Sequence, residues 1–327
     1  MALNIIDDSE VTSLGPSEDG TYTGAMGGTE LMNKALYERV DNELLDQFFI
    51  IKSRVRTLDK DKKNLLWLHD LWGDPEVQHL RDKKSRERFD KLIFVSNYQL
   101  STYNVTLGVP YDRSVVLKNA IDPIPFVKKT KDRVNLIYHT TPHRGLELLV
   151  PVVEKLSEVL DVPFHLDVYS SFEAYGWKHR DEPYLDLFER IKDHPNMTYH
   201  GYKPNDVIRK ALQEAHIFAF PSIWQETSCI AAIEAMSAGC EIVCPNLAAL
   251  PETTGNLATM YNYTEDVNNH ANLFAAYLYQ SIKNRFNENT EQKLGFAKQW
   301  IDNFYNWDLR AAEWTVTLRE ILKNGKT

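Results

Sequence analysis

The stretch Phe218-Ala-Phe-Pro-Ser-Ile-Trp-Gln-Glu-Thr-Ser-Cys-Ile-Ala-Ala-Ile-Glu-Ala-Met-Ser-Ala-Gly239 decides how the rest of the chain is understood. A short apolar run ends at Pro221-Ser222, a loop carries Glu226, and a helix-forming run follows to a glycine stop at Gly239. Thr227 or Ser228 is placed to cap that helix, which leaves its first amides free for an anion such as a phosphate. Glu234 falls mid-helix among Ala231, Ala232, Ala235 and Ala238, small residues that let a ligand come close. Eight residues of helix would span about 12 Å. That separation suits one carboxylate for a sugar's hydroxyls and the other for a ribose, with a pyrophosphate at the helix start. The plainer alternative has Glu226 capping the helix and Glu234 facing solvent.

Strand, loop and helix alternate in the same way on both sides of this stretch. Short apolar runs at 3–6, 47–51, 64–68, 91–95 and 114–117 predict one series of strands. Runs at 134–138, 164–169, 197–200, 217–220 and 241–244 predict a second. Most are continuous rather than alternating, as expected of parallel strands buried on both faces. Between them lie amphipathic helices, such as 146–160 with Leu149, Val152, Val153, Leu156 and Leu160 on one face. The fold class is therefore α/β with parallel sheets. Two prolines and a charged run in Ile121-Asp-Pro-Ile-Pro-Phe-Val-Lys-Lys-Thr-Lys-Asp-Arg133 separate the two series. The expected division is 1–126, 127–306 and a helical tail, 307–327, that packs on the second domain or crosses back to the first.

Composition sets outer limits. The chain has 327 residues, 43% of them hydrophobic and 25% charged, which fits a packed globular protein of about two domains. No run approaches the roughly 20 apolar residues that cross a bilayer, and the first residues lack the basic and apolar blocks of a secretory signal. Cys229, Cys240 and Cys244 form no disulfide framework, so a reducing, cytoplasmic setting is expected. A formal net charge of -9 disfavours a broad nucleic-acid surface. The charged, helix-like run 80–91 favours an exposed helix face over attachment to an anionic membrane. Cys240-x3-Cys244 has no further metal ligands nearby, and Asp59-Lys-Asp61 sits in a lysine-rich, solvated loop, so no metal site is expected.

Three further constellations carry chemistry. Gly24-Ala-Met-Gly-Gly-Thr-Glu30 precedes a helix, and a glycine pair there lets backbone amides reach a phosphate or a reacting sugar. It is not the dinucleotide fingerprint, which argues against an NAD oxidoreductase. Asn64-Leu-Leu-Trp-Leu-His69-Asp70 puts a histidine at the carboxyl end of a strand, where open α/β sheets bind ligands. His69 there serves a hydroxyl or acts as acid and base, or simply pairs with Asp70. Tyr138-His-Thr-Thr-Pro-His-Arg144-Gly145 places Arg144 either to neutralise a pyrophosphate or at the surface.

Taken in order, Gly27-Gly28, Val95-Ser96-Asn97, Asn119-Ala-Ile-Asp122, Arg144-Gly145-Leu146, Pro221-Ser222, Glu226-x7-Glu234-Ala-Met, Gly239 and Leu250-Pro251-Glu252 form a set. The set resembles family 4 of the retaining glycosyltransferases, nearly end to end and most specifically over 221–252. The resemblance implies the GT-B fold, two Rossmann-like domains facing across a cleft. It implies transfer of a hexose from a nucleoside-diphosphate sugar to a hydroxyl of a polysaccharide, lipid-linked or small glycan acceptor, with retention and without metal or other cofactor. It places Glu226 on the donor sugar and Glu234 on the ribose. The amides of Thr227, Ser228 and Cys229 fall on donor oxygens, Gly27 and Gly28 by the diphosphate, His69 near the reaction site, and Arg144 on the diphosphate. Two departures stand out. The Gly-Arg that the family carries ahead of its basic residue reads His139-Thr140 or Thr140-Thr141 here, with Lys178 or Arg180 as substitutes. The glycines before Pro-Glu read Asn246-Leu-Ala-Ala249. The alternatives are a catalytically idle glycan- or nucleotide-binding relative, and a sugar-nucleotide epimerase or phosphorylase of the same fold.

Overall fold

The computed structural model describes residues 27–324. The expected strand at 3–6 and residues 24–26 of the glycine stretch lie outside the described residues. The first sheet holds β1 (Phe48–Lys52), β2 (Lys63–Leu68), β3 (Lys91–Phe94) and β4 (Ser114–Val116), all parallel, in the order β1-β2-β3-β4. Its strands are covered on both faces, as their continuous apolar runs predict. Leu65, Trp67, Ile93 and Val95 enter one core, and Leu66, Leu68, Leu92 and Phe94 the other, in the two-residue alternation of a strand. Helix α1 (Gly28–Arg39) lies on the first side through Met32 and Leu36, and helix α2 (Asn97–Leu107) on the second through Leu100 and Tyr103.

The second sheet holds β5 (Val134–Tyr138), β6 (Phe164–Val168), β7 (Met197–Tyr199), β8 (Ile217–Ala219), β9 (Glu241–Pro245) and β10 (Thr259–Tyr261). All pairings are parallel and the order is β10-β9-β8-β5-β6-β7. The chain moves outward from β5 through β6 to β7, then returns to lay β8 against the other side of β5. The loops after β5 and β8 therefore leave in opposite directions and open a crevice at the carboxyl ends, where doubly wound sheets bind ligands. Helices α3 (Leu146–Val159), α4 (Leu185–Asp193), α5 (Asn205–Glu214), α6 (Ile230–Ser237), α7 (Val267–Asn284) and α8 (Glu288–Phe304) cover this sheet.

Helix α9 (Trp307–Asn324) returns to the first domain, where Trp314 meets Trp67 edge-on at 4.9 Å and Leu318 joins the same core. The chain thus crosses between the sheets twice, and the crossings touch, with Ile121 N donating to Tyr305 O at 2.7 Å. Among the described residues no helix is long and apolar enough to cross a membrane.

Three local expectations are corrected. The run 80–91 is not one helix: a 3-10 helix, Pro75–Arg81, stops at Asp82, whose carboxylate accepts from Lys84 N and starts a separate turn, Lys83–Arg86. Neither Thr227 nor Ser228 caps α6. Its N-cap is Cys229, in a left-handed conformation with φ 73°, and no side chain caps it. Glu226 and Glu234 are consequently not separated by eight residues of helix, because helix begins only at Ile230.

Candidate active site

The loop after β5 brings Arg144 into the crevice. Tyr138 Oη donates to Thr141 O at 3.0 Å, and the turn Pro142–Arg144 ends on Gly145 at φ 116°. A Cβ on Gly145 would stand 2.2 Å from the Pro221 carbonyl oxygen, so only glycine lets this loop pass against the end of β8. That approach sets Arg144 against Glu226, with Nε 2.8 Å from Oε1 and both side chains largely buried. Arg144 Nη1 also donates to Thr141 Oγ1 at 3.1 Å and to Tyr175 Oη at 3.3 Å. Among the described residues none meets Nη2, so that part of the planar fork remains for an anion.

Burial lifts the Glu226 carboxyl above its ordinary value, with Arg144 pulling the other way. Burial works against the charge of Arg144 too, but the Glu226 carboxylate outweighs it and holds the guanidinium charged. Burial takes His139 and His143 down to about 3, the latter helped by the charges of Arg144 and Arg180. Both imidazoles are neutral at physiological pH. His139 Nε2, Thr140 Oγ1 and His143 Nδ1 are buried without a hydrogen-bond partner among the described residues.

The first domain meets this crevice directly. Ser96 Oγ donates to Thr227 O at 2.6 Å, and Thr227 Oγ1 donates to the His69 carbonyl at 2.9 Å. His69 therefore stands at the domain junction, beside Thr227. Its backbone N–H goes to Ser53 Oγ and its Nε2 is buried and unpartnered among the described residues. Burial, then the charge of Lys52, lowers its pKa to about 3, so it acts as a neutral hydrogen-bonding group. Gly27 and Gly28 approach the second domain closely: a Cβ on Gly28 would lie 3.0 Å from Ile230 Cδ1, and one on Gly27 would overlap Tyr175.

A strand-end crevice with an Arg–Glu pair, a helix N-terminus that no side chain caps and a facing second domain has counterparts among known proteins. The family model described as "Glycosyl transferases group 1" matches residues 135–279. Those residues, the second sheet and the helices around it, are thus similar to the group 1 glycosyl transferases. Over 108 residues, 33% of this chain and 26% of the relative, the sequence is 28% identical to O-antigen chain mannosyltransferase B of Escherichia coli. The match thus spans about a quarter of that relative. Among solved structures, a glycosyltransferase from Rickettsia africae superposes with a TM-score of 0.68 at 16% identity, covering 93% of this chain and 84% of that one. HepE of Anabaena, solved with UDP and glucose, gives 0.62 at 13% identity, over 79% and 72%. The whole described chain has the GT-B fold.

The remaining candidate, Glu234, sits apart from the Arg144–Glu226 pair. It is buried, and neither faces solvent nor reaches Arg144. Asn205 Nδ2 donates to its two oxygens at 3.1 and 3.2 Å, and Arg209 Nη1 to Oε1 at 3.1 Å. Burial raises its pKa against those partners. Asn205, Arg209 and Ile124 also line a neighbouring cavity of about 280 Å³. Neither Lys178 nor Arg180 is seen paired with Glu226, although the charge of Arg180 is felt at His143. Lys178 pairs with Glu173 at 3.3 Å, and Arg180 lies over the Trp177 ring at 4.5 Å. Asp59 serves a turn, accepting from Asp61 N and Lys62 N. Among the described residues no group of three or more His, Cys, Asp or Glu could hold a metal ion.

Sequence reasoning missed Tyr175, Thr141, Asn205 and Arg209. Tyr175 follows β6, and a strand-end position was its only signal. Asn205 and Arg209 stand at i and i+4 on α5, one helical face, but nothing in the sequence names their partner.

Proposed function

We propose that this chain is a retaining glycosyltransferase that moves a hexose from a nucleoside-diphosphate sugar to an acceptor hydroxyl. What supports the reading most is the meeting of Arg144, Glu226 and the amide end of α6 at the crevice between β5 and β8, with His69 and the glycine pair arriving from the other domain. Arg144 Nη2 and the first amides of α6 receive the diphosphate. The donor's C1–O bond breaks, its electron pair leaves on the phosphate oxygen, and the developing charge is met by the guanidinium and the amides rather than by a metal. The acceptor oxygen bonds to C1 on the face the phosphate leaves, and its proton passes to that phosphate. Glu226 is committed to Arg144 and orients the sugar's hydroxyls instead of attacking C1. Neutral His69 hydrogen-bonds a hydroxyl, and Glu234 takes the ribose.

HepE, with its UDP and glucose, supports a sugar nucleotide as donor. The O-antigen chain mannosyltransferase, matched over about a quarter of its length, supports a hexose as the group moved. The test is release of nucleoside diphosphate from UDP-, GDP- and ADP-sugars, with the product's anomeric configuration read by NMR. One donor should be consumed with retention, and Glu226→Ala should lose at least about 100-fold, the scale of an active-site electrostatic group. Inversion, or full activity in that variant, would refute the mechanism. A second reading, binding without turnover, is favoured by Lys178 pairing with Glu173, which leaves Arg144 the one cation among the described residues seen paired with Glu226 at the crevice.

A further inference from the structure

Gly27 poses a question that its backbone does not answer. Its φ of -73° and ψ of 178° are open to any residue, so no turn geometry requires glycine there. The tightest constraint is Tyr175 of the opposite domain: a Cβ on Gly27 would stand 2.6 Å from Cε1 and 2.8 Å from Cδ1 of that ring, whereas the next contact, Glu30 Oε2 at 2.9 Å, is the movable end of a flexible side chain. The same tyrosine accepts a hydrogen bond from Arg144 Nη1 at 3.3 Å. One face of the residue therefore touches the glycine turn of the first domain and its tip touches the anion-binding guanidinium of the second.

The turn that carries Tyr175 is built to stay in place. Ser171 Oγ accepts from Glu173 N at 2.9 Å, and Asp181 accepts from Phe172 N at 2.8 Å and from Ser171 Oγ at 2.5 Å. The turn closes on Gly176 at φ 76°, and the Tyr175 ring packs against Trp177 at 5.4 Å between centroids. A ring held this way transmits a push instead of absorbing it.

We propose that Tyr175 is a positioning residue that couples the glycine turn to Arg144, so that docking of the turn and orientation of the guanidinium toward a diphosphate are one event. The proposal rests on the donor-site reading above for the identity of the anion. It concerns no bond-making step: Tyr175 acts through Arg144, whose Nη1 is shared between the hydroxyls of Tyr175 and Thr141.

The test is a double-mutant cycle on the full chain, read by melting temperature without nucleotide and by titration with UDP, GDP and ADP. Gly27→Ala alone should lower the melting temperature and weaken the nucleotide that binds by about ten-fold, because its methyl displaces the ring. In a Tyr175→Ser background, where the ring is gone, the same Gly27→Ala change should cost clearly less in both measurements, leaving only the loss of a glycine N-cap and the contact with Glu30 Oε2 at 2.9 Å. Equal losses in both backgrounds would overturn the coupling. Tyr175→Phe keeps the ring and removes only the hydroxyl. It should keep the melting temperature while raising the dissociation constant, and the donor KM but not kcat, several-fold; unchanged affinity would overturn the proposal. If the wild type binds none of the three nucleotides, the donor-site reading fails by itself. The melting-temperature cycle then decides the Gly27–Tyr175 contact alone.

Discussion

Arg144 and Glu226 bring opposite charges into a place from which water is largely excluded, and each is there because the other is. Removing one partner of a buried pair leaves an uncompensated charge at a cost of about 3–5 kcal/mol. Glu226→Ala should fall toward the lower end, since Thr141 and Tyr175 still receive the guanidinium; chemical denaturation measures it. Both residues drew notice in the sequence from their places after strands, but their pairing did not, nor did Tyr175, because such contacts join segments far apart in the chain. The histidines give a pH prediction. His69, His139 and His143 are held neutral to about 3 by burial, but titrate near 6.5 when unfolded. Between those values the unfolded chain binds more protons, so stability is full above pH 6.5 and falls as pH drops toward 3. Glu226 and Glu234, raised by burial, act with the opposite sign, losing stability as pH rises. The melting temperature should therefore fall from pH 7 to pH 5. His139→Phe, which keeps a ring against Phe218, should flatten that fall. A fall of the same steepness in the variant would contradict the assignment.

At the scale of elements, the strands were legible almost to the residue because both sheets are buried on both faces and leave continuous apolar runs. β10 escaped, since three residues, Thr259–Tyr261, at a sheet edge make no run. The start of α6 was misplaced for a physical reason: Cys229 adopts φ 73°, a conformation that side chains other than glycine rarely take and that no residue type announces. The run 80–91 was misread because charge and length suggested one helix while Asp82 divides it. Gly145 is where an element's path is most tightly set. Gly145→Ala combines a left-handed φ with a methyl driven into the Pro221 carbonyl, and should cost about 2–4 kcal/mol. Calorimetric unfolding checks it, and a loss under 1 kcal/mol would show that the loop after β5 does not need its contact with β8.

Over the whole molecule, the two domains are joined by more than their linkers. Glu252, on the turn Leu250–Thr253, accepts from Asn97 N and Tyr98 N at 3.0 and 2.9 Å and pairs with Lys118 at 2.9 Å. Burial works against its charge, but Lys118 and the two amides outweigh it and hold the carboxyl below its ordinary value. An acidic group at the amino end of α2 thus latches one half to the other. Glu252→Ala should loosen the pair, seen as a larger radius of gyration in solution scattering or as two unfolding transitions where the wild type has one. Unchanged scattering and a single transition would remove the latch. The two-domain plan was legible in the Pro-rich linker, but this latch was not: Leu250-Pro251-Glu252 gave a resemblance without a partner.

The proposed function puts a nucleoside-diphosphate sugar in the β5/β8 crevice. A crystal structure of the chain with whichever of UDP, GDP or ADP raises its melting temperature tests this most directly. The diphosphate should lie within hydrogen-bond reach of Arg144 and the first amides of Ile230–Ser237, with the ribose at Glu234. A nucleotide seated anywhere else, with the Arg144–Glu226 crevice empty, would contradict it.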